Sequence, residues 1–198
     1  MMAQIEILAT VGSGKTTLAK SLSEQGFDAV IERPEQNPFL AEWHRDPSSF
    51  AFETTTTFFL DHISKLRHIP SDKHYIFDFS FAQDFSFARL TFSHADWTTF
   101  LPFFESVVGR CEPPAVVIHL FPSTNVILER IARRGILAEN HITAEFIDEI
   151  TIRLQKAWAE IPRYRDVPIL YIENEDFVSN PDAIIKIGKQ LRQLLTSK

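Results

Sequence analysis

The chain has 198 residues, 44% of them hydrophobic, and a formal net charge of −6: enough for one substantial core, and short for two domains. With no basic cluster beyond Arg133-Arg134 and no basic tail, that charge excludes the footprint of a duplex-binding protein, so no polymeric nucleic acid is expected as a partner. The only cysteine, Cys111, rules out an intramolecular disulfide. No apolar run approaches membrane-spanning length and no signal-peptide pattern precedes the first strand, so a soluble, cytoplasmic protein without a membrane partner is expected.

A strand is predicted over 3–8, followed by A-T-V-G-S-G-K-T-T from Ala9 to Thr17 and then by helix-forming residues. Strand, glycine loop and helix in that order make a phosphate-binding P-loop. Gly12, Ser13 and Gly14 let successive backbone N–H groups curl around phosphate oxygens. Lys15 supplies a point charge for the terminal phosphates, Thr16 a hydroxyl for Mg²⁺, and Thr17 continues the helix N-terminus. The pattern GxxxxGK[ST] asks for glycine where this chain has Ala9, which fits a tight strand exit only if its φ stays negative. A capped helix start would explain some of these residues, but not the strand before them. ATP with Mg²⁺ is the ligand that the loop implies.

Helices are predicted over 15–25, 38–45, 48–68, 82–93, 96–109, 123–134, 143–161 and 180–196, and further strands over 29–31, 75–79, 115–120 and 168–172. Strands alternating with helices indicate an α/β fold: a P-loop NTPase three-layer sandwich, with a five-stranded parallel sheet and helices on both faces. The whole of 1–198 is expected to form one domain with a lid around 130–142. Nine of the eighteen phenylalanines fall between Phe77 and Phe104, most of them suited to the core and some to a pocket wall.

In the third strand, period-2 alternation turns Asp78 and Ser80 to one face and Phe77 and Phe79 to the other. Ligands gather beyond the carboxyl ends of parallel strands, so Asp78 stands where it can reach a phosphate, a metal or an acceptor hydroxyl; a carboxylate capping the next helix is the plainer alternative. The helix that follows the fourth strand ends in Arg130, Arg133, Arg134 and Gly135. Arginines at i and i+4 share a face, and the glycine permits the hinge of a closing lid, an arrangement suited to phosphoryl transfer.

With these segments in view, the chain resembles the deoxyribonucleoside kinases, P-loop enzymes that phosphorylate the 5′-hydroxyl of deoxynucleosides. The likeness spans Glu32-Arg33-Pro34 with Asn37-Pro38-Phe39-Leu40, Asp78-Phe79-Ser80 with Asp84, the lid from Arg130 to Glu139, and Asp176-Phe177 with Asn180-Pro181. The resemblance implies Asp78 as general base, Glu32 near the acceptor hydroxyl or Mg²⁺, and Lys15, Arg130 and Arg134 on phosphate. It further implies Asp84 at the base, Glu139 at the sugar 3′-hydroxyl, and Asp176 and Phe177 around the adenine of ATP. The acceptor, a nucleoside or an analogue, is expected in a pocket bounded by Glu32, Trp43, Phe52, Asp78 and Asp84, and the family suggests a homodimer through the long helices.

The chain also departs from the family pattern. Phe79 and Ile136 stand where the family has phosphate-directed arginines, and Thr55, His62 and His44 stand where it has a base-reading glutamine, an arginine and a sugar-contacting tyrosine. Loss of the amide predicts poor discrimination among bases. Loss of the arginines keeps a second reading open, a catalytically weakened nucleotide-binding regulatory module. A nucleoside monophosphate kinase fits less well, since residues 43–66 offer few cations for an acceptor phosphate.

Overall fold

The computed structural model describes residues 3–70, 73–136, 139, 141–173 and 180–196. Asp176 and Phe177 lie outside them. Five strands, β1 (Gln4–Leu8), β2 (Asp28–Val30), β3 (Tyr75–Phe77), β4 (Val116–Leu120) and β5 (Ile169–Ile172), form one sheet in the order β2-β3-β1-β4-β5, every pairing parallel. Among the described residues eight α-helices accompany them: α1 (Lys15–Ser23), α2 (Leu40–Arg45), α3 (Pro47–His68), α4 (Phe81–Thr91), α5 (His94–Val108), α6 (Thr124–Arg134), α7 (Ala144–Glu160) and α8 (Pro181–Thr196). The expected three-layer α/β fold is the observed one.

Strand alternation divides the core. Ile5, Ile7, Ile76, Val116 and Ile118 face α1 and α8, where Leu18, Leu22, Ile187 and Leu191 close one layer. Leu8 and Val117 face the opposite way, into a larger aromatic layer from α3, α4, α5 and α7 with Phe59, Phe81, Phe100 and Phe104. Phe59 makes edge contacts to Phe81 and Phe100 and a tilted contact to Phe104 at centroid distances of 5.0–5.6 Å, so most of the phenylalanine excess is core.

Short polar residues set the helix starts. The side chains of Asp46, Ser80, Ser93 and Thr143 accept the backbone N–H groups of Ser49, Gln83, Asp96 and Phe146, capping α3, α4, α5 and α7. Pairing in β3 ends at Phe77, opposite Val30, and the chain turns at Asp78-Phe79-Ser80 directly into α4. Asp78 and the first turn of α4 therefore arrive beside the P-loop at the carboxyl end of the central strands.

Candidate active site

The loop between β1 and α1 has the predicted shape. Gly12 and Gly14 sit at φ +75° and +96°, the left-handed region that favours glycine, and a Cβ on Gly12 would come within 3.1 Å of Ile127 and Ile131. Among the described residues the only non-glycine at positive φ is Asp166, so Ala9 meets its condition. The Lys15 ammonium donates to the carbonyls of Ala9 (3.2 Å) and Thr10 (3.0 Å), bending back over its own loop, and Ser13 Oγ donates to Thr10 O at 2.8 Å. Burial lowers the Lys15 pKa against the opposing pull of Glu32 and Asp78.

Asp78 is engaged through both oxygens. Its Oδ2 accepts the Thr16 hydroxyl at 2.6 Å and its Oδ1 the backbone N–H of Glu32 at 2.6 Å. Burial raises its pKa despite these bonds. A hydroxyl and a carboxylate in contact beneath a phosphate loop are the hard oxygen donors that Mg²⁺ takes.

A cavity of about 260 Å³ opens from the P-loop. Gly12, Gly14, Lys15, Thr16 and Thr17 form its floor at one end, with Glu32 and Pro34 at the junction. Trp43, His44, Thr55, Phe58, Gln83, Asp84 and Phe87 line the far chamber, and Arg134, Glu139, Ile142 and Phe146 the lid side. Lys15, Thr16, Glu32, Trp43, His44, Thr55, Asp84, Arg134 and Glu139 are thus brought together as expected. Arg134 is bonded to Glu139 at 3.2 Å across the left-handed cap at Gly135, and Arg130 donates to the Ser13 carbonyl at 3.1 Å, reaching the P-loop from outside the cavity wall. The rings of His44, Trp43 and His141 meet in tilted and edge-on contacts with centroids 5.1–5.2 Å apart, and burial, then the His141 charge, lowers the His44 pKa.

Three expected pocket residues are placed differently. Phe52 packs against Phe92 at 5.3 Å in the helical layer, because its position on α3 faces the aromatic core rather than the cavity. Asp78 lies behind the wall, its carboxylate spent on Thr16 and Glu32. His62 is fully buried behind the wall: its Nε2 meets Glu32 Oε1 at 2.8 Å and its Nδ1 meets Asp84 Oδ2 at 2.9 Å, while its ring stacks on Phe79 at 4.0 Å and 4°. Phe79, standing where the family has arginine, supplies a flat surface under this cation.

Two carboxylate acceptors require two N–H donors, so His62 is an imidazolium. Burial opposes that charge, but Asp84 and Glu32 outweigh it and push its pKa up to about 10. Burial drives Asp84 up to about 6, against the pull of His62. Burial would raise Glu32 too, yet the hydrogen bond and charge of His62, with Lys15 and Lys65, hold it below the usual range. A histidine pKa raised from 6.5 to about 10 contributes stability that is fully present below pH 6.5 and is lost as pH rises through 10. Thermal melting of the wild type is therefore expected to fall more steeply between pH 8 and 10 than that of His62→Gln; parallel slopes would show that the ring is not the titrating link.

Sequence reasoning missed Gln83. It lies one turn into α4, is 9% exposed, lines the far chamber, and its Oε1 is buried without a hydrogen-bond partner among the described residues. Its place beside Asp84 was the only available signal.

Fold and site together define a P-loop phosphotransferase whose nucleotide loop opens into a chamber for a second small molecule. The family model for deoxynucleoside kinases matches residues 5–196, and the chain belongs to that family. It is 27% identical over 203 residues to the deoxyadenosine/deoxycytidine kinase of Bacillus subtilis (strain 168), covering 96% of this chain and 92% of that protein. It is 25% identical to the deoxyguanosine kinase of the same organism, over 96% of this chain and 97% of that protein. A solved deoxyadenosine kinase from M. mycoides shares the fold at a TM-score of 0.83 and 23% identity, covering 96% of this chain and 99% of that one. The chain is a nucleoside kinase that uses a nucleotide phosphate donor, and nothing in these relationships favours a regulatory module. Among the described residues no helix is long and apolar enough to cross a membrane.

Proposed function

We propose that this chain is a cytoplasmic, ATP-dependent deoxynucleoside 5′-kinase that works as one P-loop domain, with residues 130–142 as its lid. The observation that carries the proposal is one cavity joining the phosphate loop to an aromatic-walled chamber, with the Glu32 carboxylate at the junction. The ATP phosphates would lie over the N–H groups of Gly12 to Thr17 and the Lys15 ammonium. Thr16 would hold Mg²⁺ through its hydroxyl oxygen, with the Asp78 carboxylate accepting the hydroxyl proton from behind at 2.6 Å; the ion when bound neutralises charge on the phosphates. Mg²⁺ at such a site is commonly held by one or two protein oxygens together with substrate phosphates.

In this arrangement the base moves from Asp78 to Glu32. Asp78 has both oxygens occupied behind the wall, whereas Glu32 faces the cavity and is held ionised by His62. A group must reach the proton that it abstracts, and the exposure of Glu32 to the cavity supports it in that role. Glu139 and His44 would meet the sugar, Asp84 the base, and Arg130 and Arg134 the phosphates once the lid closes. Asp176 and Phe177 belong to the proposal as adenine contacts, and self-association through the long helices as its oligomeric state.

The test is ATP consumption with and without deoxynucleosides. Turnover is expected to depend on the acceptor and to yield a 5′-monophosphate; hydrolysis indifferent to any acceptor would overturn the proposal. Lys15→Ala is expected to abolish nucleotide binding in a folded protein, and unchanged affinity would remove the P-loop from the mechanism.

A further inference from the structure

The amide that sequence comparison finds missing at Thr55 is present on another helix. Gln83 and Asp84 are consecutive in the first turn of α4, and both line the far chamber. The Ser80 side chain and carbonyl both accept the Gln83 backbone N–H, which fixes the start of the helix and the direction of both side chains. Asp84 is held from behind by His62 at 2.9 Å. Gln83 Oε1, in contrast, is buried with no partner among the described residues. A buried acceptor without a partner destabilises the fold, so an amide kept in that state points to a ligand that completes it. Phe58 and Phe87 line the same chamber and offer apolar surface to a planar ring, while Thr55 offers only a hydroxyl.

We propose that Gln83 is the base-reading residue of this kinase, and that with Asp84 it selects bases carrying an amino group beside an unprotonated ring nitrogen. The inference rests on the deoxynucleoside kinase reading above. An amide has one acceptor and one kind of donor: its oxygen takes an N–H of the amino group and its NH₂ gives one to the ring nitrogen. The Asp84 carboxylate takes the other amino N–H. Adenine and cytosine present that edge. Thymine presents a ring N–H between two carbonyls, which sets a carbonyl oxygen against a carboxylate. Such a mismatch of acceptor on acceptor rejects a ligand more strongly than loss of apolar contact does. The base is thus read from α4 rather than α3, and the sequence-based expectation of poor discrimination is replaced by one of selection against thymine.

Gln83→Met keeps the length of the side chain and removes the amide; Gln83→Leu serves if the first variant folds poorly. Binding of deoxyadenosine, deoxycytidine and thymidine is measured by calorimetry without ATP, and kcat and KM by coupled assay with ATP and Mg²⁺. Wild type is expected to bind deoxyadenosine or deoxycytidine more tightly than thymidine. The variants are expected to lose roughly tenfold or more in that affinity and in KM, with kcat little changed and thymidine unaffected. Equal affinity in wild type and variant, or a wild type that prefers thymidine, overturns the role of Gln83. Normal nucleoside binding without phosphate transfer by wild type instead overturns the kinase reading, while the binding comparison still decides Gln83.

Discussion

Glu32→Gln is expected to lower kcat by about 10²–10⁴, the usual contribution of a positioned general base, while nucleotide affinity stays at the wild-type level. The amide keeps the shape of the side chain and its place opposite His62 Nε2, 2.8 Å away, but cannot take the proton of an acceptor hydroxyl. Asp78→Asn is expected to be slow for another reason. The Thr16 hydroxyl at 2.6 Å loses its charged partner, so the variant should need more Mg²⁺ for half-maximal rate, whereas Glu32→Gln should keep the wild-type Mg²⁺ response. Titrating Mg²⁺ in both variants separates the roles. Wild-type turnover by Glu32→Gln, together with an Asp78→Asn defect that no Mg²⁺ concentration alters, would return the base to Asp78.

The second large effect comes from residues outside the cavity lining. Glu6, on β1, is fully buried; Arg163 Nη1 meets its Oε1 at 2.5 Å and the Tyr164 hydroxyl donates to its Oε2 at 2.6 Å. Tyr164 also accepts the Ala82 N–H at the start of α4, and Arg163 Nε donates to the Glu112 carbonyl. Removing one partner of a buried pair leaves an uncompensated charge, so Arg163→Met is expected to cost roughly 3–5 kcal/mol, read as a shift in the urea midpoint. Replacing both groups removes that stranded charge. Glu6→Leu/Arg163→Met is therefore expected to be more stable than Arg163→Met alone, and a double variant worse than the single would show that the ion pair itself, rather than desolvated charge, governs the loss.

The alternation of five strands and eight helices was legible because each element carries its own period and its own punctuation. Strand runs such as Val116–Leu120 are buried throughout and apolar but for His119, as burial on both sheet faces demands, and Asp46, Ser80, Ser93 and Thr143 announce the helix starts. The P-loop was legible for the same reason, since every group that forms it lies within nine consecutive residues and the φ values of Gly12 and Gly14 are local properties.

Which way a side chain faces within the aromatic layer was not legible in that sense. Phe52, Phe58 and Phe87 have the same chemistry, yet Phe52 joins Phe92 in the core while the other two line the cavity, because orientation depends on how α3 and α4 cross. Nor could the chain order show that Thr16, Glu32 and Asp78 share one carboxylate, that His62 bridges Glu32 and Asp84, or that Glu6 waits under the sheet for Arg163 and Tyr164. By itself the sequence determined the order of elements, the phosphate loop and the kinds of charge available to a site. Only tertiary structure decided which carboxylate faces the substrate, which is consumed by a neighbour, and which helix presents the amide, because those outcomes follow from contacts between residues that are dozens of positions apart and whose local preferences are alike.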